Sequence, residues 1–342
     1  MVHRKTATRK RKRRRVIRSR PPHLLTCSSR SIGTAHLFTC SPAHLFRGKA
    51  AAPPGGRAEI RLVLGDCIHG LSCLDAKSVD AVVTSPPYNA GKDYNTYDDS
   101  VPRDEYLAWT REWGQAVVRV LSNRGSFFLN IGGKPSDPWV AFDVLSVFRD
   151  LLVLQNVIHW VKSIAIERQD LPVRRRTDPS NPLAAGESVT FGHYQPINAE
   201  RYLNACHEYV FHFTRRGNVP LDRLAVGVPY QDKSNVNRWT IGAKDVRCRG
   251  NTWFIPYETI QNRDKDRPHP ATFPVKLPEM CLKLHGLSRI HLAMDPFLGL
   301  GSTAVACANL GVAFVGFEID KKYMTESCRR VAEALKKKMP RS

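Results

Sequence analysis

The chain has 342 residues, of which 42% are hydrophobic, and its formal net charge is +21. This length and apolar content suffice for one large α/β domain with an insertion, or for two small domains. The apolar runs are all much shorter than the roughly 18 residues of a membrane-spanning helix, so the sequence predicts no transmembrane span.

Nine cysteines are scattered along the chain without a CxxC pair or any other paired spacing. Such spacing predicts neither a zinc site nor a disulfide framework. We therefore expect no metal and a reducing, intracellular setting.

The positive charge is concentrated in residues 1–58, which contain 15 Lys and Arg residues and no Asp or Glu. The rest of the chain has a basic surplus of only six. The segment has no helical or strand period, which predicts disorder. Four interpretations stay open: a DNA-gripping arm, a nuclear-localisation-like cluster, a targeting presequence, or residues upstream of the true protein start.

A first strand is predicted at residues 59–66, followed by a helix from Cys67 to Leu74. Asp66 ends the strand and is either a turn acid or a ligand-binding group. The apolar run Val79 to Val83 predicts a second strand, which ends at the motif TSPPYN, residues 84–89. Two prolines stop the strand ladder there, so a hydroxyl, free carbonyls and an aromatic ring are presented where open α/β sheets bind ligands.

The middle of the chain alternates between helical and strand patterns. Helices are predicted from Arg103 to Leu121 and from Ala141 to Leu152. Strands are predicted from Ser126 to Ile131, from Val157 to Val161 and from Tyr209 to Thr214.

Two polar stretches interrupt this alternation, residues 164–202 and residues 215–268. The second is basic and aromatic, and its candidate DNA-contacting residues are Arg238, Lys244, Arg247, Arg249 and Asn251. Arg and Asn side chains read guanine and adenine edges, and Lys and Arg bind phosphates. An ordinary solvated loop layer is the alternative.

A second motif, DPFLGLGST at residues 295–303, follows an apolar run and precedes a helical pattern that ends at Gly311. The next apolar run, residues 312–317, delivers Glu318, 17 positions after Gly301. A strand, a Gly-x-Gly turn, a helix and a strand ending in an acid is the arrangement that binds nucleotide-like cofactors and their ribose hydroxyls. A final amphipathic helix is predicted from Lys321 to Lys338.

Together the two motifs resemble the S-adenosylmethionine-dependent amino-methyltransferases of DNA, and their order resembles the permuted beta group of that family. Further matching stretches are LGDC at 64–67, HEYVFHF at 207–213 and HPATFP at 269–274. The resemblance implies a doubly wound, mainly parallel α/β fold of the Rossmann-like methyltransferase type with an inserted target-recognition region. Its expected divisions are a basic extension (1–58), a catalytic half (59–214), the recognition region (215–268) and a cofactor-binding half (269–342).

The resemblance also implies roles for individual residues. Ser85, Pro86, Pro87 and Tyr88 would form the catalytic tetrapeptide, with acceptors for the amino group of a flipped base and a ring that stacks on it. The residues expected to bind S-adenosylmethionine are Asp66, Phe273, Pro274, Asp295, Phe297, Gly299, Gly301, Ser302, Thr303 and Glu318. Ser302 and Thr303 could instead be simple helix N-cap residues.

Serine before Pro-Pro favours cytosine N4 as the methylated atom in this family, and adenine N6 stays open as the alternative. An alternative of a different kind is a non-catalytic DNA-binding module with a decayed cofactor site. The expected partner is double-stranded DNA in a prokaryotic cytoplasm, and a homodimer and a cognate restriction endonuclease are left open.

Overall fold

The computed structural model describes residues 59–170, 188–192, 200–230, 245–256 and 272–337. The basic extension predicted at 1–58 therefore lies outside the described residues, as do Arg238 and Lys244. None of the helices in the described ranges is long and apolar enough to cross a membrane.

One sheet of eight strands forms the centre of the molecule. In chain order its strands are β1 (Ile60–Leu64), β2 (Val79–Thr84), β3 (Leu121–Ile131), β4 (Val153–Val161), β7 (His207–Thr214), β10 (Thr252–Phe254), β11 (Ala293–Asp295) and β12 (Phe314–Glu318). Between these lie two small antiparallel pairs, formed by β5 (Ser163–Glu167) with β6 (Ser188–Gly192) and by β8 (Val228–Pro229) with β9 (Val246–Arg247).

The spatial order of the main sheet is β1-β12-β11-β2-β3-β7-β4-β10. Strand β7 is antiparallel to both of its neighbours, and the other pairs are parallel. This confirms the predicted mainly parallel, doubly wound sheet.

Helices cover both faces of this sheet, because successive side chains of a buried strand point to opposite faces. On one face Val82 and Phe127 pack with α1 (Cys67–Ser72), α2 (Arg103–Val120) and α3 (Val140–Val147). On the other face Val83 and Phe128 pack with α4 (Lys276–His285), α5 (Ser302–Leu310) and α6 (Lys321–Lys337).

The structure contains elements that were not predicted, among them the two small antiparallel pairs largely within the stretches 164–202 and 215–268. Helix α4 was not predicted, and strand β10 lies within the stretch predicted to be a recognition region. Strand β10 pairs in parallel with β4, with Trp253 opposite Trp160, so part of that stretch completes the main sheet.

Candidate active site

The two sequence motifs meet at the point where the strand order reverses. Strands β2 and β11 are neighbours, but β2 leads through α2 to β3 on one side, whereas β11 leads through α5 to β12 on the other. In open α/β sheets the crevice outside the carboxyl ends of two such strands is the usual ligand site. TSPPYN begins there with the last residue of β2, and DPFLGLGST begins with the last residue of β11.

Asp295 joins the two motifs directly. Its Oδ1 accepts a hydrogen bond from the Thr84 hydroxyl at 2.5 Å and one from the Phe297 amide at 3.0 Å, and its Oδ2 accepts from the Thr303 hydroxyl at 2.8 Å. The side chain is buried, and burial raises the pKa of the Asp295 carboxyl to about 6, although these three hydrogen bonds act in the opposite direction.

The turn after Asp295 needs its glycines. Gly299 and Gly301 have φ values of 53° and 76°, in the left-handed region that side chains disfavour. A Cβ at Gly301 would also lie 3.1 Å from the Ser327 Cβ. The backbone of the turn can therefore lie close to α6 and open toward the crevice.

Ser302 and Thr303 begin α5, but neither is its N-cap, because Gly301 takes that position. The Ser302 hydroxyl donates to the Phe273 carbonyl at 2.8 Å, so the segment containing Phe273 and Pro274 is held against the glycine turn. Thr303 donates to Asp295 instead. The capping alternative for these two residues is therefore wrong.

Glu318 ends β12 beside the turn. Its carboxylate accepts hydrogen bonds from the Gly299 and Asp320 amides, both at 2.8 Å. Burial raises the pKa of the Glu318 carboxyl to about 7, and the negative charges of Asp320 and Asp295 add to this shift. No cation of the described residues forms an ion pair with Glu318 or Asp295.

Asp66 lies one strand further along the same edge. The Gly65 amide donates to the Glu318 main-chain carbonyl at 2.8 Å, which sets the end of β1 beside the end of β12. The exposed Asp66 side chain accepts from the His69 amide at 3.0 Å and caps α1. The observed contact of Asp66 therefore fits the role of a turn acid. Its position is still at the edge of the sheet where the two motifs meet.

Aromatic rings pack together between α2 and the glycine turn. The half-buried ring of Phe297 lies edge-on to Trp109 and Trp113, with centroid distances of 5.5 and 5.2 Å. Tyr97, from the loop after TSPPYN, lies 5.4 Å from Trp109.

The loop after the tetrapeptide is fixed by Asp99, which the sequence did not single out. Its buried carboxylate accepts from the amides of Asn89, Ala90 and Lys92 at 2.8 to 3.1 Å. On the other side of the motif, the Tyr106 hydroxyl of α2 donates to the Pro87 carbonyl at 2.8 Å. The Tyr106 contact holds the SPPY backbone directly, and the Asp99 contacts hold the loop that follows it.

Ser85 and Tyr88 belong to a polar cluster that was also not predicted. The Ser85 and Tyr88 hydroxyl oxygens are 2.7 Å apart, and the Tyr88 hydroxyl donates to Glu208 Oε2 at 2.9 Å. Asn130 Nδ2 donates to the same Glu208 oxygen at 2.7 Å, and Lys162 Nζ lies 3.0 Å from Glu208 Oε1. In the sequence, HEYVFHF is one of the stretches that match the family. The glutamate of this stretch, Glu208, was the one sequence feature that could have pointed to the cluster.

The predicted DNA-contacting residues are in different situations. Arg247 is exposed in β9. Arg249 Nε donates to the Val226 carbonyl and Asn251 Nδ2 to the Val157 carbonyl, each at 2.9 Å, so these two side chains brace the local backbone. Contacts of this stretch with bases or phosphates stay a prediction. Of the three described residues, the exposed Arg247 is the best candidate for such contacts.

Comparison with known proteins gives consistent matches. A family model described as DNA methylase matches residues 79–329. The type II methyltransferase M.HpaI of Haemophilus parainfluenzae is 26% identical over 274 residues, which cover 79% of this chain and 74% of that protein. The type II methyltransferase M.BglII of Bacillus subtilis is 28% identical over 271 residues, covering 76% and 65% respectively.

Among solved structures, the PvuII DNA methyltransferase, described as cytosine-N4-specific, superimposes with a TM-score of 0.56 at 18% sequence identity. The alignment covers 82% of this chain and 93% of that one. This likeness shows that the fold is shared.

Proposed function

The chain belongs to the DNA methylase family, and we propose that within this family it methylates the exocyclic N4 of cytosine in double-stranded DNA. Enzymes of this family use S-adenosylmethionine as the methyl donor. The observation that carries the proposal is Ser85, which follows β2 at the switch point and directly precedes Pro86 and Pro87. Its neighbour Thr84 is hydrogen-bonded to Asp295 of the glycine turn.

The residues of the turn fit the cofactor chemically. Asp295 and Glu318 are buried carboxylates at adjacent strand ends, and neither forms an ion pair with a cation of the described residues. A ligand with an ammonium group and ribose hydroxyls would match them. We assign the ammonium to Asp295 and the ribose hydroxyls to Glu318. Gly299 and Gly301 would let the backbone of the turn approach the cofactor, and Ser302 and Thr303 would hold the turn in place. Phe273, Pro274 and Phe297 would pack against the cofactor, and Asp66 would lie on its adenine side.

When bound, S-adenosylmethionine supplies a methyl group on a sulfonium. The protein must make the amino nitrogen of the base nucleophilic, because its lone pair is delocalised into the ring. Hydrogen-bond acceptors aimed at the N–H bonds favour a more tetrahedral nitrogen, and Ser85 Oγ and the Pro86 carbonyl would supply them. The two prolines, together with the bond from Tyr106 to the Pro87 carbonyl, hold these acceptors in place before reaction.

The target base must leave the DNA helix to reach this crevice, since its amino group is paired inside a duplex. Tyr88 would receive the flipped base against its ring. Contacts from the stretch 215–268, including Arg247, would select the site. The type II names of the two relatives support a proposed role beside a restriction endonuclease.

Identification of the methylated nucleoside tests the base assignment. Unmethylated genomic DNA would be incubated with protein and methyl-labelled S-adenosylmethionine, digested to nucleosides and analysed by mass spectrometry. We expect N4-methylcytosine from the wild type and from Ser72→Ala, which changes an exposed serine of α1. In Ser85→Ala, loss of one transition-state contact should lower kcat by roughly 100-fold.

Labelled N6-methyladenine would overturn the base assignment and keep the fold and cofactor. The absence of any methylated nucleoside, with folded protein and several DNA sources, would favour the DNA-binding module with a decayed cofactor site.

A further inference from the structure

We propose that Glu208, paired with Lys162, is a positioning residue that sets the direction of the hydrogen bonds around Ser85, so that Ser85 Oγ faces the base as an acceptor. The inference rests on the proposed methyl transfer to an amino group. It concerns two residues outside the SPPY motif: Glu208 on β7 and Lys162, which directly follows β4.

The direction follows from counting protons in the cluster. An ionised carboxylate can only accept, so the Tyr88 hydroxyl must donate its one proton to Glu208 Oε2. The Tyr88 oxygen then accepts from Asn130 Nδ2 at 2.6 Å and from the Ser85 hydroxyl at 2.7 Å. With its proton committed to Tyr88, Ser85 can offer only lone pairs toward the crevice.

Lys162 is what keeps Glu208 an acceptor. Burial raises the pKa of the Glu208 carboxyl, but the charge of Lys162 and the hydrogen bonds from Asn130, Lys162 and Tyr88 outweigh this effect, and the pKa lies below its ordinary value. The groups that face Glu208 are Lys162 at the end of β4, Tyr88 after β2, Asn130 on β3 and the adjacent His207. Of these groups, Lys162 forms the ion pair with Glu208.

The cluster is also tightly packed. A Cβ on Gly132 would lie 2.8 Å from Glu208 Cγ and 3.2 Å from Tyr88 Cε2, so the backbone of Gly132 closes the cluster on that side. The Glu208 side chain is only 12% exposed. A reversed hydrogen-bond direction therefore cannot be relieved by turning the carboxylate out to solvent.

Glu208→Gln changes the charge but not the shape, and Lys162 dictates how the amide would sit. The ammonium would hold Oε1, as it does now, and the amide NH2 would replace the acceptor that faces Tyr88 and Asn130. Tyr88 would then donate to Ser85, and the Ser85 proton would point toward the amino group of the base. We expect kcat to fall on the order of 100-fold with little change in KM for S-adenosylmethionine.

The double variant Glu208→Gln/Lys162→Met separates this mechanism from a merely structural role. Without the ammonium, the amide can turn its oxygen toward Tyr88, so kcat should recover by roughly 10-fold relative to Glu208→Gln alone. Lys162→Met alone should shift the acidic limb of the kcat profile to higher pH, because the buried Glu208 then holds a proton more tightly. Glu112→Gln, at an exposed site on α2, is the matched control.

A readout without turnover keeps the inference separate from the proposed function. The ¹³Cζ resonance of Tyr88, assigned by its absence in Tyr88→Phe, reports whether the phenol donates or accepts. We expect it to move in Glu208→Gln and to return toward the wild-type position in the double variant. An unmoved resonance, or a double variant no more active than Glu208→Gln, would overturn the inference, whereas a wild type without methyl transfer but with the expected resonance shifts would overturn only the proposed function.

Discussion

Glu318 is a buried carboxylate whose partners in the described structure are two backbone amides, from Gly299 and Asp320. Two neutral donors do not offset the loss of hydration around a full charge, and the pKa of this carboxyl is raised to about 7. A buried carboxylate with few partners would be a good acceptor for ribose hydroxyls. In the ligand-free protein at neutral pH, the same buried carboxylate should destabilise the fold.

The free energy of unfolding should therefore depend on pH. The native Glu318 keeps a proton that the unfolded chain releases near pH 4.5, so its contribution to stability is present below that pH and is lost as pH rises through about 7. Glu318→Gln removes this titration. Relative to the wild type, the variant should gain up to about 3 kcal/mol between pH 4.5 and 8.

Urea unfolding of both proteins without ligand at the two pH values measures this change, and any pH-independent cost of the substitution cancels in the comparison. Glu112→Gln should show no such trend. A stability difference between Glu318→Gln and wild type that stays constant with pH would contradict the raised pKa.

Helix α2 positions the loop that carries the predicted catalytic residues, although it supplies none of them itself. Tyr106 is fully buried in the first two turns of α2, and its hydroxyl donates to the Pro87 carbonyl. The prolines restrict the motif internally, and this bond ties the motif to a helix that packs on the sheet.

Tyr106→Phe should therefore affect turnover more than stability. Loss of one neutral hydrogen bond costs about 1 kcal/mol of folding free energy. Misplacement of the acceptors should lower kcat roughly 10-fold, with the affinity for S-adenosylmethionine unchanged. Steady-state kinetics and thermal unfolding measure both effects, with Tyr202→Phe as control, and an unchanged kcat beside a lowered melting temperature would show that the bond serves packing alone.

Most of the main elements could be predicted from local patterns: α2 has apolar residues at helical spacing, and β2 is a short apolar run that ends at two prolines. Strand β10 could not, because its three residues lie in a basic, aromatic stretch and their strand conformation depends on pairing with β4. Helix α4 was missed although its end signals are present in the sequence: Pro278 lies in its first turn and Gly286 directly follows its last residue.

The site is assembled from segments of the chain that are far apart in sequence. Thr84 and Asp295 are 211 positions apart, and each was predictable because it lies in a motif at the end of an apolar run. The Glu208 cluster was not, because Tyr88, Asn130, Lys162 and Glu208 come from four separate segments and only the strand order brings them together. Local sequence patterns carry no information on such pairings.

We propose a separation of roles within this site: the glycine turn binds the cofactor, and Ser85 acts on the base. Calorimetric titration of S-adenosylmethionine into the wild type and Ser85→Ala, without DNA, tests it most directly. We predict saturable binding with the same affinity in both proteins, although only the wild type transfers methyl groups at full rate. Failure of the wild type to bind, or loss of binding in Ser85→Ala alone, would contradict the claim.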